Sequence, residues 1–318
     1  MIERRGIVLD LDDLHDEWPG LLHKANLNVL GLHNWSPEPE IRSKIDAMIR
    51  FFESAEGTRL ASRLDDLYIG LEFELHAMSW LLPSEHYRRH PHWFRMDESG
   101  ARTPHDNFCP SSEEALEVIR DNAVRLARKL KPTIGRYYMW QDDNKPWCRC
   151  ESCRMYSDSD QNLLVMNAIM EAVRTVDPHA KLSYLAYMAT LESPPEKVRP
   201  REGIFLEITG PGIHRMNESG FRGVDSDEKF QQALARNLLV FGTEDAQVLE
   251  YWLDVSLQSR WRKPVSRLVF DEEAAARDIA YYKSKGIRSV TTFGVFMDKS
   301  YFQAYGIPPV EAYGRLLE

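Results

Sequence analysis

The stretch RYYMWQDDN, residues 136–144, contains the pattern that decides the fold. Its first part, Arg136–Trp140, is rich in aromatic and apolar side chains and predicts a short buried strand, after which the chain becomes polar. A helical pattern then covers about residues 160–176, and another apolar run begins at Lys181. A strand, a helix and a second strand in this order form the unit from which parallel sheets are built.

The same alternation occurs along the whole chain. The predicted strands cover residues 6–11, 28–33, 67–74, 136–140, 181–187, 203–208, 247–252 and 289–294. Predicted helices follow most of them, at about residues 17–25, 38–53, 111–130, 160–176, 227–241 and 272–285; three prolines leave little room for a helix after the fifth strand. We therefore predict one α/β domain over residues 1–318, a single (β/α)₈ TIM barrel with a long loop after strand three and a cysteine-rich loop after strand four.

Composition narrows the range of functions. The chain has 318 residues, 43% of them hydrophobic, and a formal net charge of −9. Nucleic-acid binding requires a clustered basic surface, and the sequence contains none. The first residues have no apolar core of a signal peptide, and no run is long enough to cross a membrane. We expect a cytoplasmic protein that binds neither nucleic acid nor membranes, and the sequence does not indicate its oligomeric state.

The residues that follow the strands are the candidates for a binding site, because active sites of such barrels lie at the C-terminal ends of the strands. They are mostly polar or aromatic, and seven of the eight tryptophans, Trp35 and Trp261 among them, follow a strand or lie in its loop. Indole faces suit the apolar face of a sugar ring. We expect the substrate to be bound by His33, Glu74, His76, Trp80, Trp140, Tyr187, Glu207, Trp252 and Asp254.

The adjacent carboxylates Asp142 and Asp143 directly follow the fourth strand. Two neighbouring carboxylates repel each other, so one can keep a proton near neutral pH while the other stays ionised. Such a pair suits general acid catalysis. The alternative is an Asp-Asp-Asn turn that caps the following loop.

The chain has four cysteines, of which three form the pattern Cys148-x-Cys150-x-x-Cys153 and the fourth is Cys109. This spacing matches thiolate ligands of Zn²⁺, and four thiolates would form a closed, structural site. Buried thiols or a disulfide are the alternatives. The long loop after strand three also carries His76, His86, His90, His92 and His105, which allow a second kind of metal site.

Several motifs together resemble a known family. They are residues 76–83 (HAMSWLLP), 90–94 (HPHWF), 109–112 (CPSS), 140–144 (WQDDN), the cysteine pattern of residues 148–153, residues 250–254 (EYWLD) and residues 286–294. This combination is similar to an uncharacterised bacterial domain of unknown function, number 4838, which is related to family 163 glycoside hydrolases and to other hexosaminidase-like barrels. The similarity extends from about Val8 to Gly306.

The resemblance implies a barrel related to the β-N-acetylhexosaminidases, in which the acetamido group of the substrate attacks its own anomeric carbon. One carboxylate of a neighbouring pair orients that group and the other protonates the leaving oxygen, an exception to the scheme of two separated carboxylates. Asp142 and Asp143 match that pair. Tyr187 is placed like the tyrosine that hydrogen-bonds the acetamido oxygen.

The resulting hypothesis is a glycoside hydrolase that acts on an oligosaccharide or glycoconjugate containing N-acetylhexosamine. Asp143 would be the general acid/base, Asp142 the orienting carboxylate, and Glu250 a nucleophile in a double displacement if the pair does not act in this way. Catalysis would need no cofactor. Two alternatives fit the same residues: a non-catalytic carbohydrate-binding barrel, and a metal-dependent isomerase or hydrolase that uses the histidines and aspartates.

Overall fold

The computed structural model describes residues 1–34, 41–210 and 223–318. Eight parallel strands close into a barrel in which each pairs with its neighbours in sequence and the last pairs with the first. The predicted (β/α)₈ architecture is therefore confirmed. The strands are β1 Arg4–Asp10, β2 Val29–His33, β3 Gly70–His76, β4 Arg136–Trp140, β5 Lys181–Ala186, β6 Ile204–Thr209, β7 Gln247–Glu250 and β8 Ser289–Phe293.

The described helices connect these strands. They are α1 Trp18–Lys24, α2 Ile41–Glu53, α3 Ala55–Asp66, α4 Met78–Leu81, α5 Glu113–Lys129, α6 Asp158–Arg174, α7 Glu228–Phe241, α8 Val255–Gln258, α9 Glu272–Ser284, α10 Lys299–Tyr305 and α11 Val310–Leu317. None of them is long and apolar enough to cross a membrane.

Serine caps fix the starts of the two helices that flank β4. The Ser112 side chain accepts from the amide of Ala115 at 3.4 Å and begins α5. Ser157 and Asp160 form a reciprocal capping box at the start of α6. A serine or aspartate at this position accepts a hydrogen bond from an amide that the helix leaves unpaired. Both helices therefore begin within three residues of their predicted starts.

The structure also differs from the sequence prediction. Helix α3 was not predicted, and β3 begins at Gly70 because Tyr68 has a positive φ of 56°, which ends the preceding turn. Strand β7 ends at Glu250, two residues earlier than expected. Between β5 and β6, the structure has only the 3₁₀ turn Met188–Thr190, as the prolines of this segment suggest.

The interior of the barrel is polar at its centre. Alternate residues of each strand point inward, and Gly31 of β2 faces Glu74 of β3, where a Cβ atom would lie 2.7 Å from the carboxylate. Arg4 contacts the carboxylate of Glu72, and it also donates to the hydroxyl of Ser289 at 2.9 Å. These buried charged and polar groups lie between the N-terminal end of the barrel and a layer of aromatic rings near the C-terminal ends of the strands.

Candidate active site

Four rings form an aromatic layer near the C-terminal ends of the strands. His33 ends β2, His76 ends β3, Trp140 ends β4 and Phe293 ends β8. The ring centroids of His33 lie 5.4 Å from His76, 5.6 Å from Trp140 and 5.2 Å from Phe293. Because each residue occupies the last position of its strand and points inward, the barrel itself sets this arrangement.

The two histidines are held by main-chain carbonyls. His33 Nδ1 lies 2.6 Å from the carbonyl oxygen of Glu74, and His76 Nδ1 lies 2.5 Å from that of Gln141. A carbonyl only accepts, so Nδ1 carries the proton in both rings. Burial and the neighbouring His76 lower the pKa of His33 to about 3, so this ring is neutral and its Nε2 is a hydrogen-bond acceptor.

Trp140 is fixed from below by Glu207. The indole Nε1 donates to Glu207 Oε2 at 2.8 Å and to the Ser183 hydroxyl at 3.2 Å. The amide of Gln247 donates to the other oxygen of Glu207 at 2.9 Å. Burial raises the pKa of Glu207 to about 7, against the opposing effect of these donors. The Ser183 hydroxyl also donates to Glu207 Oε2 at 2.5 Å, so three donors orient the carboxyl group that holds the indole ring.

Glu74 lies in the same buried layer. Burial raises the pKa of Glu74 well above its usual value, and the charge of Glu207 acts in the same direction. Its carboxyl oxygens have no hydrogen-bond partner among the residues that the structure describes. Burial and the neighbouring carboxylate therefore favour the neutral form of Glu74. Glu74 and Glu207 were expected to bind substrate, but both are fully buried and neither lines the cavity described next.

A cavity of about 490 Å³ opens above the aromatic layer. Apolar and aromatic side chains form most of its wall, and two carboxylates lie among them. The lining residues are His33, His76, Trp140, Asp143, Leu185, Tyr187, Thr209, Leu249, Tyr251, Asp254, Trp261, Phe293 and Val295. Six of the predicted site residues thus surround one cavity, whose mostly apolar lining with a few polar groups is typical of a small-molecule site.

Asp143 lies at the mouth of this cavity. Its side chain is exposed, and the hydroxyl of Tyr187, which follows β5, lies near its carboxylate. Burial raises the pKa of Tyr187, followed by the effect of the Asp143 charge, so the phenol stays protonated and donates. The backbone turns directly after Asp143, since Asn144 has a φ of 50°. The expected turn and the expected cavity-facing carboxylate are both present.

Asp254 is the second carboxylate of the cavity and is buried. It is the N-cap of α8: its Oδ1 accepts from the Ser256 amide at 2.8 Å, the Ser256 hydroxyl at 2.5 Å and the Leu257 amide at 3.3 Å. Burial raises the pKa of Asp254 to about 6, although these donors lower it. The cap holds the carboxyl group of Asp254 in one orientation, while burial disfavours its ionised form.

The structure separates the acidic doublet. Asp142 is buried and lines a second cavity of about 500 Å³ beside the loop after β4. Its Oδ1 accepts from the Ser79 amide at 3.3 Å, and its own amide donates to Asn107 at 2.9 Å. Successive residues of an extended segment point in opposite directions, which explains the separation. The expectation that both carboxylates face one catalytic centre is therefore corrected, because Asp143 alone of the pair lines the central cavity.

Three further predicted residues point away from the cavity. Glu250 contacts the hydroxyl of Tyr282 in α9, outside the barrel. Trp252 donates to Asp278 at 3.3 Å, also on α9. Both errors have one cause: Gln247, Leu249 and Tyr251 take the inward positions of this segment, so Glu250 and Trp252 take the outward ones.

Trp80, predicted as a substrate contact, lies in the short helix α4. Its indole donates to Asp46 of α2 at 2.9 Å, and the guanidinium of Arg125 lies 4.7 Å from its ring centroid. It packs the loop after β3 onto the neighbouring helices. Trp35 falls outside the described residues.

A known protein family matches the sequence of this chain. The family model of a domain of unknown function, DUF4838, matches residues 36–299. The chain belongs to the DUF4838 family. No curated protein matches its sequence.

Solved structures show how the DUF4838 barrel compares with other barrels. The PgaB (BpsB) glycoside hydrolase domain from Bordetella bronchiseptica superposes with a TM-score of 0.58 at 12% identity, over 99% of both chains. The catalytic domain of Thermobifida fusca endoglucanase Cel5A gives 0.54 at 12% identity, over 99% of this chain and 90% of that one. A β-galactosidase from the psychrophilic Marinomonas ef1 gives 0.57 at 11% identity. The DUF4838 chain is covered over 99% of its length in that match but spans 59% of the β-galactosidase. The shared feature is the (β/α)₈ barrel fold.

Two aromatic residues that line the cavity of this DUF4838 chain, Tyr251 and Trp261, are not among the predicted substrate-binding residues. Tyr251 lies beside Phe293, with 5.2 Å between the ring centroids. Trp261 stands at the rim and is 41% exposed. The two-residue period of β7, continued from Gln247, would have identified Tyr251. The sequence marked Trp261 only as one of seven tryptophans that follow a strand or lie in its loop, because its exact place depends on two successive positive φ values, 51° at Arg260 and 56° at Trp261.

The histidines of the long loop do not gather around a common point. His90 stacks on Trp93 with 4.0 Å between ring centroids, and His92 lies 3.3 Å from the carboxylate of Glu114. Among the described residues, the group that could hold a metal ion is made of the four cysteines. The metal-dependent alternative for the activity therefore has no support from these histidines.

Proposed function

We propose that this protein is a glycoside hydrolase in which Asp143 is the general acid/base and Asp254 is the second carboxylate. The observation that carries the proposal is that both carboxylates line one aromatic cavity at the C-terminal ends of the strands. Most glycoside hydrolases place two carboxyl groups on either side of the bond that they cleave. The fold that the chain shares with glycoside hydrolases supports the same conclusion.

The cavity offers a sugar ring both stacking faces and hydrogen bonds. Trp140 and Phe293 present aromatic surface at the bottom, and the exposed indole of Trp261 faces the entrance. His33 accepts hydrogen bonds through Nε2, which suits the hydroxyl groups of a sugar. This combination of apolar wall and few polar groups is typical of carbohydrate sites.

In the proposed reaction, Asp143 gives its proton to the glycosidic oxygen as the bond to the anomeric carbon breaks. The exposed position of Asp143 lets it then take a proton from the water that completes hydrolysis. Ionised Asp254 stabilises the positive charge that develops at the anomeric carbon. Its helix cap keeps the carboxylate in place, so little rearrangement is needed during the reaction.

The finer proposal is that the substrate ends in an N-acetylhexosamine. Leu185, Leu249 and Val295 give apolar space for the methyl of an acetamido group. The hydroxyl of Tyr251 lies in the same cavity, and burial keeps its pKa well above the usual value, so it is a donor for the acetamido oxygen. The resemblance to hexosaminidase-like barrels points to the same substrate class. Asp142 then acts by fixing the loop that carries Asp143.

The test is a panel of nitrophenyl glycosides with the wild type, Asp143→Asn and the exposed control Asp121→Asn. We expect the N-acetylhexosaminide to be cleaved at least about tenfold faster than the matching hexoside, and Asp143→Asn to lose about 10²–10⁴-fold in kcat/KM. The loss should be smaller for dinitrophenyl glycosides, since that leaving group needs no proton.

Three results would contradict parts of this proposal. Equal hydrolysis of both sugars would exclude the N-acetylhexosamine specificity. Full activity of folded Asp143→Asn would exclude its role. A folded wild type that binds saccharides but cleaves none would favour a carbohydrate-binding barrel instead.

A further inference from the structure

The four cysteines of the chain converge in a second, separate cluster. Cys109 comes from the segment before α5, and Cys148, Cys150 and Cys153 come from the loop after β4. The sulfur of Cys109 lies 3.7 Å from that of Cys150 and 3.6 Å from that of Cys153, and the four sulfurs lie within 4.8 Å of one another. All four side chains are buried.

The distances fit a metal better than a disulfide. A disulfide requires sulfur atoms about 2.05 Å apart, far shorter than the contacts of Cys109. Four sulfurs placed tetrahedrally around Zn²⁺ at about 2.3 Å would be separated by about 3.8 Å from one another. The contacts of 3.6 and 3.7 Å are close to that spacing. The cluster therefore has the size of a four-thiolate zinc site.

The amide of Met96 donates to the cluster, and the hydroxyl of Ser111 can donate to a thiolate there. The amide of Met96 lies 3.4 Å from the sulfur of Cys148, and the hydroxyl of Ser111 lies 3.0 Å from that of Cys153. Hydrogen bonds of this kind commonly support metal ligands from outside the coordination shell. We propose that Cys109, Cys148, Cys150 and Cys153 bind one zinc ion. With four thiolates the shell is closed, so the ion is structural and takes no part in the reaction.

The zinc site joins the loop after β3 to the loop that carries Asp143. Asn107, two residues before Cys109, accepts from the amide of Asp142 at 2.9 Å and donates to the carbonyl of Lys145 at 2.9 Å. The amide of Arg149 also donates to the carbonyl of Met96 at 2.8 Å. These three hydrogen bonds link the same two loops beside the proposed metal site. Zinc therefore positions the backbone of residues 141–147, and through it Asp143, without touching the substrate.

Metal analysis of the full chain tests the binding directly. We expect one zinc ion per chain after purification, and its release into a pyridylazoresorcinol dye solution when a mercurial reagent blocks the thiols. Chains refolded with cobalt chloride in place of zinc should show the visible absorption of tetrahedral, thiolate-bound cobalt. Folded, reduced protein that takes up no zinc, that contains iron instead, or that holds a disulfide between any two of these cysteines would overturn the proposal.

Variants and amide exchange test the positioning effect. Cys153→Ser should retain less than half of the zinc, and the matched control Ser111→Ala should keep all of it, because it removes a donor and no ligand. Removing zinc from the wild type should speed amide hydrogen exchange in residues 141–147 at least tenfold more than in β6. If Cys153→Ser does not fold, the wild-type release and exchange experiments decide alone. Equal exchange with and without zinc would overturn the positioning role. None of these measurements requires glycosidase activity, so the proposed function can fail while this inference stands.

Discussion

The phenol of Tyr187 and the carboxylate of Asp143 lie near each other in the wall of the central cavity. Tyr187 is placed by its own turn: its amide donates to the Thr190 hydroxyl at 3.0 Å, directly after β5. Asp143 stands in an exposed turn after β4. A hydrogen bond donated by this phenol would connect two neighbouring strand ends and restrain a carboxylate that otherwise rotates freely.

Tyr187→Phe should lower kcat on a nitrophenyl glycoside by about tenfold, with little change in KM. A hydrogen bond to a charged group contributes about 1.5–3 kcal/mol, and exposure of Asp143 places the effect at the lower end. The matched control is Tyr184→Phe. The hydroxyl of Tyr184 lies 3.4 Å from the Ser159 carbonyl, outside the barrel. An unchanged kcat for Tyr187→Phe, or an equal loss in both variants, would show that the bond does not position Asp143.

The two acidic residues after β7 should behave differently. Asp254→Asn should lower kcat/KM by about 10²-fold or more, since removal of one electrostatic group from a preorganised site has this effect. Glu250→Gln should retain activity within about threefold, because its carboxylate contacts Tyr282 outside the barrel and glutamine keeps an acceptor there. Steady-state kinetics of the two variants decide. A larger loss in Glu250→Gln would restore Glu250 as the nucleophile.

This contrast shows what the sequence could predict. Eight strand patterns and six helix patterns were enough to predict the barrel, and the rule that sites lie at strand ends identified His33, His76, Trp140 and Asp143 as neighbours. The side that each residue faces was the weaker inference. Glu250 was selected for its chemistry, whereas the register that starts at Gln247 directs Tyr251 inward.

The direction in which loop residues point could not be predicted from the sequence, for a different reason. Asp142 and Asp143 are identical in type and adjacent, but contacts from the distant segments of Asn107 and Ser79 hold Asp142 in a buried position, whereas Asp143 is exposed. The buried carboxyl groups of Glu74 and Glu207 were expected at the substrate for a related reason, since burial by distant residues is not visible in the sequence. Glu207 belongs to a strand that leads toward the site, but Trp140 covers it from above.

The activity should fall at acidic pH with a midpoint near 6. Burial raises the pKa of Asp254 to about 6 and its ionised form is the proposed active one, so activity is lost as the pH falls below that value. The Ser256 hydroxyl donates to Asp254 at 2.5 Å and thereby lowers the pKa of Asp254. Ser256→Ala removes this donor and should raise that pKa. The acidic limb of kcat/KM should therefore move to higher pH in this variant. An identical limb in both proteins would mean that another group controls it.

Trp261→Ala should raise KM by about three- to tenfold and leave kcat within about twofold. The indole is 41% exposed at the rim and lines the cavity, so it can stack on a sugar without touching the reacting atoms. Aromatic stacking contributes about 0.5–1.5 kcal/mol, which gives this range. Trp18→Phe, at a buried position in α1, serves as a control for loss of an indole. A fall in kcat with an unchanged KM would place Trp261 in the chemical step instead.

Asp13→Asn should stabilise the protein above about pH 8. Burial raises the pKa of Asp13 from 3.8 to about 8, against the hydrogen bond from the amide of Phe296, while nearby Asp10 acts with burial and Lys263 against it. The folded chain therefore keeps a proton that the unfolded chain releases above pH 4. Stability contributed by this proton is complete below pH 4 and is lost as the pH rises to about 8, on the order of a few kcal/mol. Asparagine removes this dependence and keeps an acceptor for Phe296, so Tm of the variant should vary less than that of the wild type between about pH 5 and pH 9. Asp16→Asn, an exposed change in the same loop, should follow the wild-type curve. Parallel curves for Asp13→Asn and the wild type would show that Asp13 is already ionised in the folded protein at neutral pH.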